Sequence, residues 1–190
     1  DSKAVQKLLE RTTLEARFVN AQTQLLRDGL PVTDSIRSAE TGNAAAVISR
    51  HAGVLQWIFQ QARSIGENHD VVMEGRNIGT DVFPDAQWKF YITADVEVRA
   101  ARRLSDFRRA GDVNISLRQV QEDLQDRDRR DRTRSVAPFR KAVDAFEIDN
   151  TSRSADETVG IMKSLMADSS ARPETRVFAG EVNKPGESTR

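Results

Sequence analysis

The order of apolar and polar positions divides the chain into alternating helical and extended segments. Residues Asp1 to Thr13 place Val5, Leu8 and Leu9 on one face, with Ser2 as a cap, and predict a helix. Leu14 to Val19 and Gln24 to Arg27 are short extended runs. With the turn signals Asp28-Gly29 and Pro31 they predict a small antiparallel sheet. Asp34 to Gly66 reads as helical, with a break at Gly53. Asp70 to Met73 and Trp88 to Thr93 read as short apolar strands, each followed by a helix or loop instead of a tight hairpin. Asp95 to Arg132 is helical, broken at Gly111-Asp112, and Phe146 to Ile148 is a third strand. Ser154 to Met166 predicts a final amphipathic helix with Val159, Met162, Leu165 and Met166 on one side. Short strands separated by long helices predict an α/β protein with a parallel sheet. The residues from Ala167 to Arg190 are rich in Ser, Glu, Pro and Gly and predict a disordered tail.

Composition narrows the class. The 190 residues are room for one domain. Lys plus Arg and Asp plus Glu are both 29, so net charge is zero, which argues against a globally basic nucleic-acid binder. The absence of cysteine excludes disulfide scaffolds, thiol nucleophiles and thiolate metal sites. No apolar run has membrane-spanning length and no signal-peptide pattern opens the chain, so a cytoplasmic protein without membrane partners is expected. The chain opens on Asp1, not Met, which predicts that it starts inside a longer reading frame.

The candidate chemistry lies in two stretches. In Val71-Val72-Met73-Glu74-Gly75-Arg76-Asn77-Ile78-Gly79-Thr80 an apolar run ends in a carboxylate, a glycine and an arginine. Ligands of open α/β sheets bind beyond the carboxyl ends of strands. There Glu74 would hold a magnesium-bound water near phosphates, and Arg76 would offer a planar fork of donors. The competing reading is a turn with a surface ion pair. In Arg127-Asp128-Arg129-Arg130-Asp131-Arg132-Thr133-Arg134, helical spacing puts Arg127, Arg130, Asp131 and Arg134 on one face, with Asp131 paired to Arg127. That face suits a polyanion bearing a sugar hydroxyl, or is a solvated helix laced with salt bridges. Arg99, Arg102, Arg103, Arg108 and Arg109 flank Gly111 as a mobile basic flap or another solvated helix. His51 and His69 lack metal-ligand spacing, and Trp57, Ile58 and Phe59 read as core. None of the six lysines follows a glycine, so the phosphate-cradling G-x-x-x-x-G-K-[ST] loop is absent from this chain.

Taken together, these segments resemble the bacterial cytidylate kinases, the (d)CMP kinases among the nucleoside monophosphate kinases. The resemblance rests on Asp28-Gly29 through Pro31-Val32-Thr33-Asp34-Ser35-Ile36-Arg37, on Asn43-Ala44-Ala45, and on Glu74-Gly75-Arg76-Asn77-Ile78-Gly79-Thr80 with Val82-Phe83-Pro84-Asp85-Ala86. It continues through Arg127-Asp128, Arg130-Asp131 and Arg134-Ser135-Val136-Ala137-Pro138, and spans nearly all of Asp1 to Met166. It implies a P-loop-kinase-like parallel sheet flanked by helices. A small antiparallel insertion at about 14–66 would close over the monophosphate, and a lid would lie at about 100–132 of a 1–166 domain. The family's first strand and P-loop have no counterpart here. The resemblance further implies ATP-to-CMP or dCMP phosphoryl transfer with Mg2+ in a monomer. Arg76 and Arg134 would hold the acceptor phosphate, Arg127 and Asp131 would contact the sugar, and Glu74 would sit near the metal. The family reads cytosine with a serine, an arginine and an aspartate. Those positions are Ala46, Leu55 and Asn77 here, so base specificity is expected to be weaker. Two other readings stay open. One is a diverged non-catalytic relative that binds a nucleotide or partner. The other is a module for RNA ends, which the zero net charge opposes.

Overall fold

The computed structural model describes residues 2–20, 22–33, 35–37, 39–48, 51–109, 111 and 114–168. Its elements run α1 (Ser2–Glu10), β1 (Leu14–Val19), β2 (Gln22–Arg27), β3 (Leu30–Pro31), a 3-10 turn (Ser35–Arg37), α2 (Ala39–Ile48) and α3 (Ala52–Asn68). There follow a π-helical turn (Ile78–Val82), β4 (Phe90–Thr93), α4 (Val96–Arg109), α5 (Leu117–Thr133), β5 (Phe146–Asp149) and α6 (Ala155–Ala167). The expected tail lies outside the described residues beyond Asp168. No helix of the described residues is long and apolar enough to cross a membrane.

Two sheets form. β1, β2 and β3 make an antiparallel meander in which Leu14 faces Arg27 and Leu26 faces Pro31. Asp28 and Gly29 both have positive φ, 53° and 78°, which is what a two-residue hairpin between Arg27 and Leu30 requires. Asp28 also accepts from the Thr13 amide at 2.8 Å, which ties the hairpin back to the start of β1. β4 and β5 pair in parallel, Phe90 with Phe146 through Thr93 with Asp149. A parallel pair needs a long crossover, and α4 and α5 supply it. These helices close on Ala100, Leu104 and Val120, with Phe107, Ile115 and Leu124 packed around them. The mixed α/β fold with a parallel sheet flanked by helices agrees with the kinase-like architecture expected above.

Three details differ from the sequence reading. Asp70 to Met73 is not a strand, and Val72 is fully exposed. A strand exists only through a neighbour's backbone groups, and among the described residues none pairs with this segment. The break between α2 and α3 falls before Ala52, not at Gly53, which sits in the first turn of α3. On α6 the buried residue is Thr158, whose hydroxyl accepts from Asn150 at 2.5 Å, whereas Val159 and Met166 are exposed. The inward face is therefore rotated from the predicted one toward Thr158, Ile161, Met162 and Leu165.

Candidate functional site

The segment after Met73 is held to the sheet by buried polar contacts. The Lys89 ammonium, buried just before β4, donates to the Pro84 carbonyl and pairs with Asp144 at 2.5 Å. Arg63 on α3 donates to the Val82 carbonyl at 2.8 Å and to that of Asp81. The Arg63 bonds satisfy carbonyls of the π-helical turn, and with Lys89 they fix the segment between α3 and β4. The glycines serve this packing. A Cβ on Gly75 would stand 2.8 Å from the Ile78 side chain, and one on Gly79 would stand 3.2 Å from Lys89. Both glycines thus make room for the protein's own side chains.

Arg76 projects from this segment to the carboxyl-terminal half of α5. Its Nη1 donates to Asp128 at 2.9 Å, its Nε lies 3.4 Å from Asp131, and its guanidinium stands 5.1 Å from the centre of the Phe139 ring. Phe139 in turn stacks on Tyr91 of β4 at 5.5 Å. Asp128 also accepts from Arg99 of α4 at 2.7 Å. Asp131 is flanked by Arg127 at 3.9 Å and Arg134 at 4.0 Å, ion pairs too long for hydrogen bonds. Four guanidinium groups thus surround two carboxylates, which leaves a surplus of two positive charges.

The end of α5 shapes the cluster. After Thr133 the chain turns back on the helix. The Arg134 Nε donates to the Ala137 carbonyl at 2.6 Å, and the Phe139 amide donates to that of Asp131 at 2.7 Å. This turn places buried Ala137 at φ 47°, a left-handed conformation unusual for alanine. Burial alone would raise the Asp128 carboxyl, but the hydrogen bonds and charges of Arg99 and Arg76 outweigh it and hold it below the ordinary aspartate range. Buried polar atoms without hydrogen-bond partners mark the same region: Asn77 Nδ2, Asp131 Oδ2 and Arg134 Nη2. Such atoms cost stability unless something else meets them.

The structure therefore brings Arg76, Arg127, Asp131 and Arg134 into one cluster, with Asn77 beside Arg76 in the chain. Arg130 leaves the face it was expected to share; it is exposed and donates to the Asp126 carbonyl. Glu74 is exposed and joins no ion pair of the described residues. Leu55 is 7% exposed near the start of α3, and the side chain of Ala46 lies outside the described residues. The basic residues flanking Gly111 are largely tied down. Arg99 joins the cluster, and Arg102 donates to the carbonyls of Asn150 and Arg153 at 2.9 and 3.1 Å. Arg103 lies 4.7 Å over Phe107, and Arg109 pairs with Asp106. Sequence reasoning passed over Arg99, Asp128 and Phe139 as members of the site. Asp128 had a signal, since it stands three residues before Asp131 on one helix face. Arg99 and Phe139 had none, because only the packing of α4, α5 and the turn after α5 brings them in.

Comparison with known proteins points to one family. A family model described as cytidylate kinase matches residues 1–168. The cytidylate kinase of Bacillus velezensis is 40% identical over 161 residues, which are 84% of this chain and 71% of that protein. That of Bacillus subtilis is 37% identical over 158 residues, 83% and 70% of the two chains. That of Coxiella burnetii is 40% identical over 153 residues, 80% and 64% of the two chains. With a family match across the whole described region and relatives of this identity, the chain belongs to the cytidylate kinase family.

Proposed function

We propose that this protein serves ATP-dependent phosphorylation of CMP or dCMP, and that the arginine–aspartate cluster is its acceptor site. The observation that carries the reading is the surplus of two positive charges around Asp128 and Asp131. It matches the charge of a nucleoside monophosphate dianion. Arg76 and Arg134 meet the phosphate, where charge-assisted, planar donors are strongest. Arg127 and Asp131 contact the sugar, Asp131 through a carboxylate oxygen that no hydrogen bond occupies. Catalysis in phosphoryl transfer is mainly positioning and charge neutralisation, and these residues supply both on the acceptor side.

Base recognition falls to Asn77. Ala46 and Leu55 offer no hydrogen bond, while the Asn77 carboxamide has both donor and acceptor and a buried, unpartnered amide end. We therefore expect weaker discrimination for cytosine than a charged reader gives. Mg2+ binds through few protein carboxylates, several waters and substrate phosphates. The described residues hold no cluster of three or more metal-ligating side chains, and Glu74 is a single exposed carboxylate. That donor set fits an ion that arrives with nucleotide phosphates and is held through water by Glu74. Bound there, the ion would neutralise charge on the transferring phosphoryl group. Segments 14–66 and 100–132 act as the acceptor-side cover and the lid.

The 190 residues hold no Walker-type loop for the donor, so the chain by itself should bind CMP without turning it over. ATP-dependent CDP formation by the purified chain would refute that part of the proposal. Arg134→Ala should weaken CMP binding by about 1.5–3 kcal/mol, the worth of a hydrogen bond to a charged group. Isothermal titration of the variant beside the wild type tests it; unchanged affinity makes the arginine face a solvated surface.

A further inference from the structure

We infer that Asp128 is a positioning residue for the acceptor phosphate, holding Arg76 in the orientation in which its guanidinium meets the anion. The inference rests on the acceptor-site reading above. Arg76 lies in the bend Gly75 to Asn77, outside any helix or strand, so backbone regularity does not fix its side chain. A free arginine side chain samples many rotamers, and holding one of them costs conformational entropy. Of the three groups around its guanidinium, Asp128 alone makes a hydrogen bond, at 2.9 Å to Nη1. The Asp131 oxygen stands off at 3.4 Å, and the Phe139 face at 5.1 Å restrains the plane of the group more than its direction. The two ion pairs engage Nη1 and Nε, not Nη2.

Asp128 is itself anchored. Its second oxygen accepts from Arg99 at 2.7 Å, and the Arg99 Nε donates to the Ala94 carbonyl at 3.0 Å. Ala94 directly follows β4. A relay therefore runs from the carboxyl end of the sheet through Arg99 and Asp128 to Arg76, joining three elements distant in sequence. Simple charge makes the opposite forecast from positioning. Removing a carboxylate adds net positive charge, which should tighten the binding of an anion. If Asp128 positions Arg76, its removal should weaken binding despite that gain.

The test uses Asp128→Asn in the full chain, with two readouts. The first is ligand-free. The side-chain Nε–Hε resonance of Arg76, assigned through Arg76→Lys, should be ordered in the wild type and averaged in the variant. The second is titration with CMP and with cytidine, which lacks the phosphate. CMP affinity should fall about tenfold while cytidine binding stays the same. An Arg76 resonance as ordered in the variant as in the wild type, or CMP affinity equal or tighter, overturns the inference. Equal losses for CMP and cytidine also overturn it, since a general structural role moves both. Should Asp128→Asn not fold, Arg99→Gln leaves the carboxylate but removes its anchor, and should show both changes at smaller size. A wild type that binds no CMP refutes the acceptor-site reading, while the resonance still decides whether Asp128 holds Arg76.

Discussion

Ala137 shows how local strain supports the cluster. Its φ of 47° aims its carbonyl at the Arg134 Nε, and the residue is buried, so its small side chain matters. Ala137→Gly tolerates this backbone and should change stability by less than about 1 kcal/mol. Ala137→Val adds a branched side chain where it is a true outlier and should cost more than about 2 kcal/mol. Urea unfolding of the two variants checks the contrast; similar losses would mean that φ is not the constraint. At this scale much of the cluster is legible in the sequence. Arg127, Asp131 and Arg134 follow helical spacing, and Arg76 follows a carboxylate and a glycine after an apolar run. Arg99 is not legible, because its partner is fixed by the packing of α4 on α5. Nor is the outward turn of Arg130, which the three- and four-residue rule places on the shared face.

Helix α5 carries Arg127, Asp128 and Asp131 of the cluster, so its start matters as much as its end. Ser116 caps it with a capping box: the hydroxyl accepts from the Gln119 amide at 3.2 Å, and Gln119 accepts from the Ser116 amide at 3.0 Å. Ser116→Ala should cost about 1 kcal/mol, read as a lower thermal midpoint. The fold should survive, because α4 and α5 share the Ala100, Leu104 and Val120 core. Loss of cooperative unfolding in the variant would mean that the core does not hold the pair. Elements with local causes read well from the chain: the Asp28-Gly29 hairpin, the start of α6 near Ser154 and the two long helices around Gly111. Val71 to Met73 has the apolar pattern of a strand and lacks the neighbour that makes one, and no local pattern reports on a missing partner.

Across the whole molecule, acids and bases balance at pH 7, so a net field builds only as acid protonates the carboxylates, and the ones held in the native state are protonated last. Asp128 has a lowered pKa in the folded protein, first opposed by burial and then set by Arg99 and Arg76. Glu157, held by the Ser154 amide and hydroxyl, and Asp149, held by Thr151, are lowered too. A carboxylate with a depressed folded pKa binds its proton more weakly than in the unfolded chain. Its stabilisation is present above the unfolded value, about pH 4, and is lost as pH falls through the folded value. The urea midpoint should therefore drop on acidification from about pH 6 to about pH 3, and the gap between wild type and Asp128→Asn should narrow. A gap that widens on acidification would contradict the assignment. On the proposed function, the arginine–aspartate cluster holds the phosphate of the acceptor nucleotide. Parallel calorimetric titrations of the wild-type chain with CMP and cytidine test it most directly. One CMP should bind per chain and cytidine at least about tenfold more weakly; equal binding of the two, or binding of neither, is the opposite result.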